Sequence, residues 1–271
     1  MEKLKLLLPI FICALTSCTY SFIGSNSEIK YENSDQYEDG DRSYSSGDIN
    51  DFNINWISGS IKFVINNDNV YTFKSNDVTK NPDPEKLVLR TWINEGVVNI
   101  QIGYPGTYNF NNFEKNLEIG VPKKLINTIS INTVAGQIES NNLGASTFII
   151  NSVSSDCTFK NSNINTLKHH TVSGNLNFIG SLNHMVINST SGNVSCENYS
   201  NNATVSVNTV SGETNYTFNN GGIVASLNTV SGHFYSNVEY TTNNNTYTYS
   251  EPSHNIEVNS TSGGLSIYKK Q

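Results

Sequence analysis

Charge is what this sequence has least of. Asp, Glu, Lys and Arg make up only 14% of its 271 residues, and the formal net charge is -7. A surface that binds nucleic acid needs clustered Lys and Arg, which this balance does not supply. Asn, Ser and Thr provide most of the polarity instead. We therefore expect no nucleic-acid partner.

Long hydrophobic runs are also scarce. The one apolar stretch near the start, Leu6 to Leu15, follows Lys3 and Lys5 and is interrupted by Pro9. It is shorter than the roughly 20 residues that cross a bilayer as a helix, but it has the length and basic flank of a secretory signal. We predict a signal peptide over residues 1–17 and an exported protein.

The residues that follow the apolar stretch, Leu15–Cys18, resemble the lipobox of bacterial lipoproteins. The resemblance implies that Cys18 carries the acyl chains and becomes the mature N-terminus. Several acyl chains hold a protein at a membrane where a single chain does not. Thr19 is not the Asp that signals inner-membrane retention in similar lipoproteins, so we expect an anchor in the outer membrane or at the cell surface. A simple signal peptide with an incidental cysteine is the alternative.

Residues 18–50 contain few aliphatic side chains and many Ser, Asn, Tyr, Asp and Glu. Such a composition does not bury enough apolar surface to fold by itself. We predict a lipidated Cys18 followed by a disordered tether that ends near residue 50.

The sequence is rich in one repeated motif of the form Asn-Thr-Val-Ser-Gly. Its seven copies are 132–136, 151–155, 170–174, 188–192, 208–212, 228–232 and 259–263. The last residues of successive copies are 19, 19, 18, 20, 20 and 31 residues apart. The period is therefore about 19–20 residues, with one insertion at 237–253.

Apolar residues recur at fixed offsets around each copy. They stand five and seven residues before the Gly, as Ile131 and Ile129 do, and two and four residues after it, as Leu176 and Phe178 do. Both spacings have the period of two that is typical of a strand with one buried face. We call the strand before the Asn the first arm and the strand after the Gly the second arm. The alternation slips by one near the motif, and we predict a corner beginning at the Asn.

Asn occupies the first position of six of the seven copies and can stack on its equivalents through amide hydrogen bonds. The predicted ladder comprises Asn132, Asn151, Asn188, Asn208, Asn228 and Asn259. One rung buries about five side chains at about 1.5–3 kcal/mol each, against about 1–2 kcal/mol of backbone ordering for each of its residues. A rung is thus unstable alone and must stack on others. The predicted fold is all-β, a single-stranded parallel β-helix.

The same template occurs once earlier, with Phe52 and Ile54 before Gly59 and with Ile61 and Phe63 after it. We therefore interpret residues 51–126 as strands that cap or begin the solenoid, and 127–271 as the repeat β-helix. The insertion at 237–253 is predicted to project from one rung and to fold as a hairpin.

The motifs resemble those of the bacterial putative-adhesin repeat family, a group of exported β-helical domains of unknown function. The resemblance covers residues 52–271 and depends most on Thr171–Gly174, Thr209–Gly212, Thr229–Gly232 and the lead-in Leu117–Pro122. It implies a β-helix and an adhesive role. Members also occur beside envelope-stress regulators, which leaves a structural or sensory role open.

An enzyme is the less favoured class. A β-helix that cleaves polysaccharide needs carboxylates clustered on neighbouring rungs, and those of the repeat region share no offset on adjacent copies. A Ser stands before the last residue of six of the seven copies, whereas a nucleophile is singular. His169 takes an inward offset and His170 replaces a ladder Asn, so both are interpreted as structural. No metal-ligand spacing of His and Cys is present, and no cofactor is expected.

Four cysteines occur, and two of them, Cys13 and Cys18, belong to the export segment. Cys157 and Cys196 fall at inward offsets two rungs apart. At about 4.8 Å per rung, their separation exceeds the reach of a disulfide, about 7 Å between Cα atoms. We predict two buried free thiols.

Two functional classes remain open. The first is a non-catalytic, membrane-anchored envelope protein that binds a glycan or a protein, with Tyr240, Tyr247 and Tyr249 of the insertion as contacts. The alternative for these tyrosines is packing against the solenoid. The second class is a periplasmic scaffold or stress-sensor component. In either case we expect a monomer.

Overall fold

The fold was determined as a computed structural model, which describes residues 21–23 and 26–270. The signal peptide and Cys18 lie outside the described residues. Most of the described part is β-strand, and its one helix is a single 3₁₀ turn, which confirms the all-β class. No helix within it has the length and apolar character needed to cross a bilayer.

The strands vary widely in length, and the longest bend through several corners. They are β1 (Ser21–Ile23), β2 (Asn26–Ile29), β3 (Glu38–Asp39), β4 (Arg42–Ser45), β5 (Asp51–Asn55), β6 (Ile61–Asn66), β7 (Val70–Asp77), β8 (Arg90–Asn94), β9 (Val97–Gln101), β10 (Gly106–Asn109), β11 (Lys115–Pro122), β12 (Ile126–Asn141), β13 (Gly144–Ser173), β14 (Leu176–Ser191), β15 (Val194–Asn198), β16 (Ala203–Asn208), β17 (Thr214–Phe218), β18 (Gly222–Asn228), β19 (Phe234–Ser236), β20 (Thr241–Asn243), β21 (Thr246–Tyr249), β22 (Pro252–Asn259) and β23 (Leu265–Lys269). A 3₁₀ helix spans Ser34–Gln36.

The repeat region stacks as a solenoid, and its rungs are in register at the predicted offsets. Ile129 of β12 lies beside Phe148 of β13, and Met185 of β14 lies beside Val205 of β16. These inward side chains are buried. The earlier template is a rung as well, because β5 and β6 pair in parallel with β12. A fixed offset of apolar residues thus sets the register from residue 51 onward.

The sheet is mixed, so a single, purely parallel β-helix is not what the structure shows. At the N-terminal end, β7 pairs antiparallel with β11, β4 with β7, β8 with β9, and β3 with β8. At the other end, β20 and β21 form an antiparallel hairpin, and β21 pairs antiparallel with β18. The parallel pairs lie between these ends, where the repeat is regular.

The corner lies later in the motif than the sequence predicted. Inward alternation continues past the Asn, so that Thr171 is 2% exposed, whereas the following Val172 is 45% exposed. The hydroxyl of Thr171 explains the difference, since it is hydrogen bonded to Ser152 Oγ at 3.1 Å and to the carbonyl of Ser173 at 3.2 Å. A buried hydroxyl satisfied in this way closes the turn, and the valine faces outward.

Glycine at the second corner permits close approach of the rungs as well as a positive φ. Gly192 has φ 144°, and a Cβ placed on it would lie 2.2 Å from the carbonyl oxygen of Gly174. A Cβ placed on Gly212 would likewise lie 2.3 Å from the carbonyl oxygen of Gly192. The backbone of one rung therefore occupies the space that a side chain of the next would need.

The tether predicted to extend to residue 50 was wrong from Ile29 onward. Ile29 and Ile49 are fully buried, and β3 and β4 pair with β8 and β7. Arg90, 3% exposed, holds this segment with bonds to Asp39 Oδ1 (2.7 Å) and to the carbonyl oxygens of Ser34 (2.9 Å) and Tyr37 (3.0 Å). The segment needs few apolar residues of its own, because the rest of the cap supplies the core and the guanidinium satisfies its polar groups.

The rungs do not stack in chain order at the C-terminal end. β22 lies between β16 and β18, and β23 lies between β17 and β19. The last rung of the sequence is therefore an interior rung, and the rung built from β18 and β19 is the terminal one. The hairpin β20–β21 continues the first arm beyond β18, so the insertion packs on the end of the stack as a hairpin and does not project from one rung.

Candidate functional site

The side chains with the clearest means of contacting a partner lie at this C-terminal end of the solenoid. Phe234 of β19 and Tyr247 of β21 stack face to face, with ring centroids 3.5 Å apart and an interplanar angle of 1°. Tyr240 meets both rings edge-on, at 5.2 Å from Phe234 and 5.4 Å from Tyr247. We call Phe234, Tyr240 and Tyr247 the aromatic tip.

The aromatic tip is held by the terminal rung and by the hairpin together. Phe234 stands two residues after Gly232, at the offset that is inward in every other rung. No further rung covers it, so the ring is half-buried and is covered instead by Tyr247. Tyr240 remains 41% exposed. The hairpin thus takes the place of the next rung and presents an aromatic surface to solvent.

A shallow depression of about 360 Å³ adjoins the tip. Its lining combines two tyrosines with a carboxylate and several hydroxyls: Glu239, Tyr240, Thr241, Thr248, Tyr249 and Ser250. Hydroxyls, a carboxylate and an aromatic face are groups that fix and orient a polar ligand on a protein surface. The arrangement can therefore bind a polar ligand.

The structure separates the three predicted tyrosines into two groups. Tyr240 and Tyr247 belong to the aromatic tip, whereas Tyr249 packs toward the solenoid, with its ring 6.3 Å from that of Phe218. Lys269 Nζ donates a hydrogen bond to the Tyr249 hydroxyl at 3.1 Å. Tyr249 therefore anchors the hairpin and forms one side of the depression.

Two further aromatic residues near the tip were missed from the sequence. Tyr235 is 55% exposed, and its ring lies 5.7 Å from that of Tyr268 on the neighbouring strand β23. Both occupy outward offsets of the second arm, and their proximity depends on β23 lying beside β19. A template that stacks rungs in chain order does not bring them together.

The asparagines of the motif form two lines of hydrogen bonds along the stack. Nδ2 donates to Oδ1, at 2.9–3.1 Å, from Asn132 to Asn55, Asn151 to Asn132, Asn208 to Asn188, Asn259 to Asn208 and Asn228 to Asn259. His170 takes the place of an Asn at the start of the second line, with its Nδ1 3.0 Å from Asn188 Nδ2. The lines are a structural feature, and they follow the spatial order of the rungs.

The remaining titratable candidates lie in the core and do not form a site. His169 is 1% exposed with Nε2 3.8 Å from Cys157 Sγ, and burial lowers the pKa of its imidazole to about 4. Cys157 and Cys196 are both buried and free, as predicted. Burial raises the thiol pKa of both, which makes them poor nucleophiles. Within residues 21–23 and 26–270, no three His, Cys, Asp or Glu side chains are grouped as a metal site requires.

The repeats and their stacking agree with the comparison against known families. A family model described as Toastrack DUF4097 matches residues 85–200 and 179–268. The chain belongs to the Toastrack family. The match includes the second half of the N-terminal cap and all seven copies of the repeated motif, and it supports a solenoid-like β-fold. No curated protein matches the sequence.

Similar solved structures come from several bacteria, and those described below are 13–16% identical to this chain. A putative cell adhesion protein from Clostridium sporogenes is 16% identical, with a TM-score of 0.36 over 86% of this chain and 100% of its own. A putative adhesin from Bacteroides fragilis is 13% identical, with a TM-score of 0.43 over 85% of this chain and 96% of its own. A putative lipid binding protein from Parabacteroides distasonis is 14% identical, with a TM-score of 0.39 over 87% of this chain and 97% of its own.

Proposed function

We propose that this Toastrack protein is a non-catalytic lipoprotein of the cell envelope, anchored through Cys18, that binds a glycan or a protein through its aromatic tip. The observation that carries the proposal is the position of the tip at one end of the solenoid, while the N-terminal segment joins the other end. The anchor and the contact surface are then as far apart as the fold allows.

The N-terminal end supports the anchor side of this proposal. β3 and β4 are the outermost strands of the cap, and Arg90 fixes the segment that leads to them. Only residues 18–28 lie between the proposed lipid and buried Ile29, about 35 Å of chain when fully extended. A short link of this kind would keep the cap near the membrane and leave the opposite end free.

The C-terminal end supports the binding side. Tyr and Phe supply large contact area at a small cost in conformational entropy, and their faces suit both sugar rings and protein side chains. The surrounding Thr, Ser and Asn side chains can hydrogen bond to either partner. Glu239 is exposed at the edge of the depression and favours a neutral or cationic ligand group over an anionic one.

The anchor is tested by Cys18→Ser. We expect the wild-type protein to sediment with membranes and the variant to be released as a soluble exported protein. Cys157→Ser is the matched control, because its thiol is buried in the solenoid and should not affect fractionation. Membrane sedimentation of Cys18→Ser would contradict the lipid anchor.

The orientation is tested by protease treatment of intact cells, with a periplasmic protein as control. Loss of this protein while the control survives is the expected result for a surface contact. Survival until the envelope is opened would contradict the adhesin-like role and favour the periplasmic scaffold.

The contact surface is tested with the purified protein on glycan and matrix-protein arrays. Replacing both Tyr240 and Tyr247 with Ala should weaken binding at least about tenfold, since exposed aromatic anchors dominate such contacts. Tyr199→Ala removes another exposed tyrosine, which follows β15 and belongs neither to the tip nor to the lining of the depression, and it should leave binding unchanged. Equal binding by the double variant would exclude the tip as the contact.

A further inference from the structure

The C-terminal rung, Pro252–Lys269, occupies a position between two other rungs. Its first arm, β22, pairs with β16 on one side over Ala203–Asn208 and with β18 on the other over Gly222–Asn228. Its second arm, β23, pairs likewise with β17 and β19. We call the position between these strands the slot. The slot is a strand-binding site that this chain fills with its own C-terminus.

The two walls of the slot have the same sequence at their corners. Residues 208–212 and 228–232 are both Asn-Thr-Val-Ser-Gly, and they are 20 residues apart, as the preceding rungs are. Asn259 donates to Asn208 at 3.1 Å and accepts from Asn228 at 2.9 Å, so its amide joins two otherwise identical neighbours. Without the C-terminal rung, the two walls carry the features needed to stack directly on each other.

The inserted rung forms a large part of the local core. His254, Ile256 and Val258 are fully buried in its first arm, and Leu265 and Ile267 in its second. His254 also hydrogen bonds through Nδ1 to the hydroxyl of Tyr216 at 3.0 Å and through Nε2 to the carbonyl of Asn220 at 3.0 Å. These contacts join residues distant in sequence, and none of them depends on both partners belonging to one molecule.

The link between the terminal rung and the inserted rung is long and mostly exposed. Residues 237–251 separate β19 from β22 and reach about 50 Å when extended. Their hairpin pairs with β18 at four positions, and Thr241–Asn243 are exposed on its far strand. Packing of Tyr247 on Phe234 and of Tyr249 beside Phe218 also holds the link. A link of this length can open as a hinge and span to a neighbouring molecule when this packing is broken.

We propose that the slot accepts the C-terminal rung of a second copy of this chain, so that two molecules exchange residues 252–270 reciprocally. The monomer, with its own rung in the slot, and the exchanged dimer then share every contact within the stack and differ only in the hinge. This proposal does not require the proposed envelope function: it rests on the pairing of β22 and β23 and on the hinge at 237–251, which includes Tyr240 and Tyr247 of the aromatic tip.

The test uses single-cysteine substitutions in two co-expressed full-length chains that carry different tags. Thr204 of β16 lies beside Asn255 of β22, and all three side chains used here, Thr204, Asn255 and His184, are exposed. Cα atoms of neighbouring strands are about 4.8 Å apart, within the range that a disulfide bridges. Thr204→Cys in one chain and Asn255→Cys in the other should give a disulfide-linked heterodimer on oxidation.

The control combines Thr204→Cys with His184→Cys. His184 lies beside Thr204 on the opposite side, in a rung that is stacked in chain order and has no hinge. We expect at least about tenfold less linked heterodimer from this pair, because its two strands remain in one molecule. A linked product of equal yield in both pairs would indicate nonspecific association and overturn the proposal.

The double variant Thr204→Cys/Asn255→Cys in a single chain completes the design. A complete intramolecular disulfide, together with no heterodimer from the two single variants, would show that the rung stays in its own chain and would overturn the exchange. Failure of the double variant to form any disulfide would overturn the slot itself. Heterodimer from the test pair, absent from the control pair, is the result that supports the proposal.

Discussion

Buried polar side chains decide the local stability of this protein at the residue scale. The inward columns are made of apolar residues with few exceptions, and each exception has an identifiable effect. His169 lies in a column between Ile150 and Ile187, and its Nδ1 has no hydrogen-bond partner within the described residues. The imidazole is therefore neutral in the folded protein over most of the physiological range.

We expect His169→Ile to remove part of the acid sensitivity of the fold. Burial lowers the histidine pKa from 6.5 to about 4, so the unfolded chain binds a proton between these values and the folded chain does not. Above pH 6.5 the neutral His169 does not lower the free energy of unfolding through proton binding. As the pH falls from 6.5 toward 4, proton binding by the unfolded chain lowers that free energy by about 3 kcal/mol. Urea unfolding at pH 7 and pH 4 measures the difference between variant and wild type.

His184→Ala is the control for this measurement, because it removes an exposed ring and leaves the core column unchanged. A variant His169→Ile that lost as much stability at low pH as the wild type would show that the buried imidazole is not responsible.

Arg90 is the second buried polar residue with a large expected effect. Arg90→Ala removes the bonds to Asp39, Tyr31, Ser34 and Tyr37, and the carbonyl groups it leaves are partly buried. We expect a loss of about 2–3 kcal/mol, with faster amide exchange over residues 29–45. Arg42→Ala breaks only the exposed pair with Glu38 and should cost less than about 0.5 kcal/mol. Equal costs for the two variants would contradict a special role for Arg90.

At the scale of the element, the rung is defined by how closely its corners can stack. Gly192→Ala places a Cβ 2.2 Å from the carbonyl oxygen of Gly174 and adds a side chain at φ 144°. We expect a loss of about 3 kcal/mol or more, because the neighbouring backbone must move. Thermal unfolding measures it. Gly144→Ala, with its nearest atom at 3.6 Å and no positive φ, should be neutral, and similar effects of both changes would refute the close-approach argument.

The rung itself could be predicted from the sequence because the same residue types recur at the same offsets every 18–20 residues. The apolar offsets gave the register of the arms, and the recurring Asn indicated side chains that meet along the stack. The order of the last rungs could not be predicted in this way. Residues 208–212 and 228–232 are identical, so their contacts do not distinguish one neighbour from another.

The parts that were missed depend on contacts between distant residues. The segment from Ile29 to Ile49 lacks periodicity, and it is ordered by Arg90 and by strands β7 and β8, which follow it in the chain. For the candidate site, the tyrosine content of the insertion indicated Tyr240 and Tyr247 from the sequence. Phe234 could not be distinguished from an ordinary inward residue. Its offset after Gly232 was the available signal, and its exposure follows from the absence of a rung beyond it.

At the scale of the whole molecule, the first arms form one continuous column between the cap and the tip. From β3 the column passes through β8, β9, β5, β12, β13, β14, β16, β22, β18 and β21 to β20, and β13 contributes two levels. These twelve steps, at about 4.8 Å each, give a column about 58 Å long. A column of this length would hold the N-terminal cap and the aromatic tip far apart.

Spin labels at Ser43 of β4 and Thr242 of β20, both exposed, should therefore be separated by about 50–60 Å in pulsed electron resonance measurements. A pair at Ser43 and Asn76 of β7, within the cap, should be much closer and serves as the control. A distance below about 30 Å between Ser43 and Thr242 would contradict a single extended column.

The interior position of β22 and β23 also determines when the fold can be completed during synthesis. A protein whose last strand lies at an end can finish most of its structure while that strand is still being made. Here the rung at 252–269 belongs inside the stack, between rungs that emerge before it. A chain that lacks this rung lacks an interior layer, so the stack is complete only after residues 252–269 have been made.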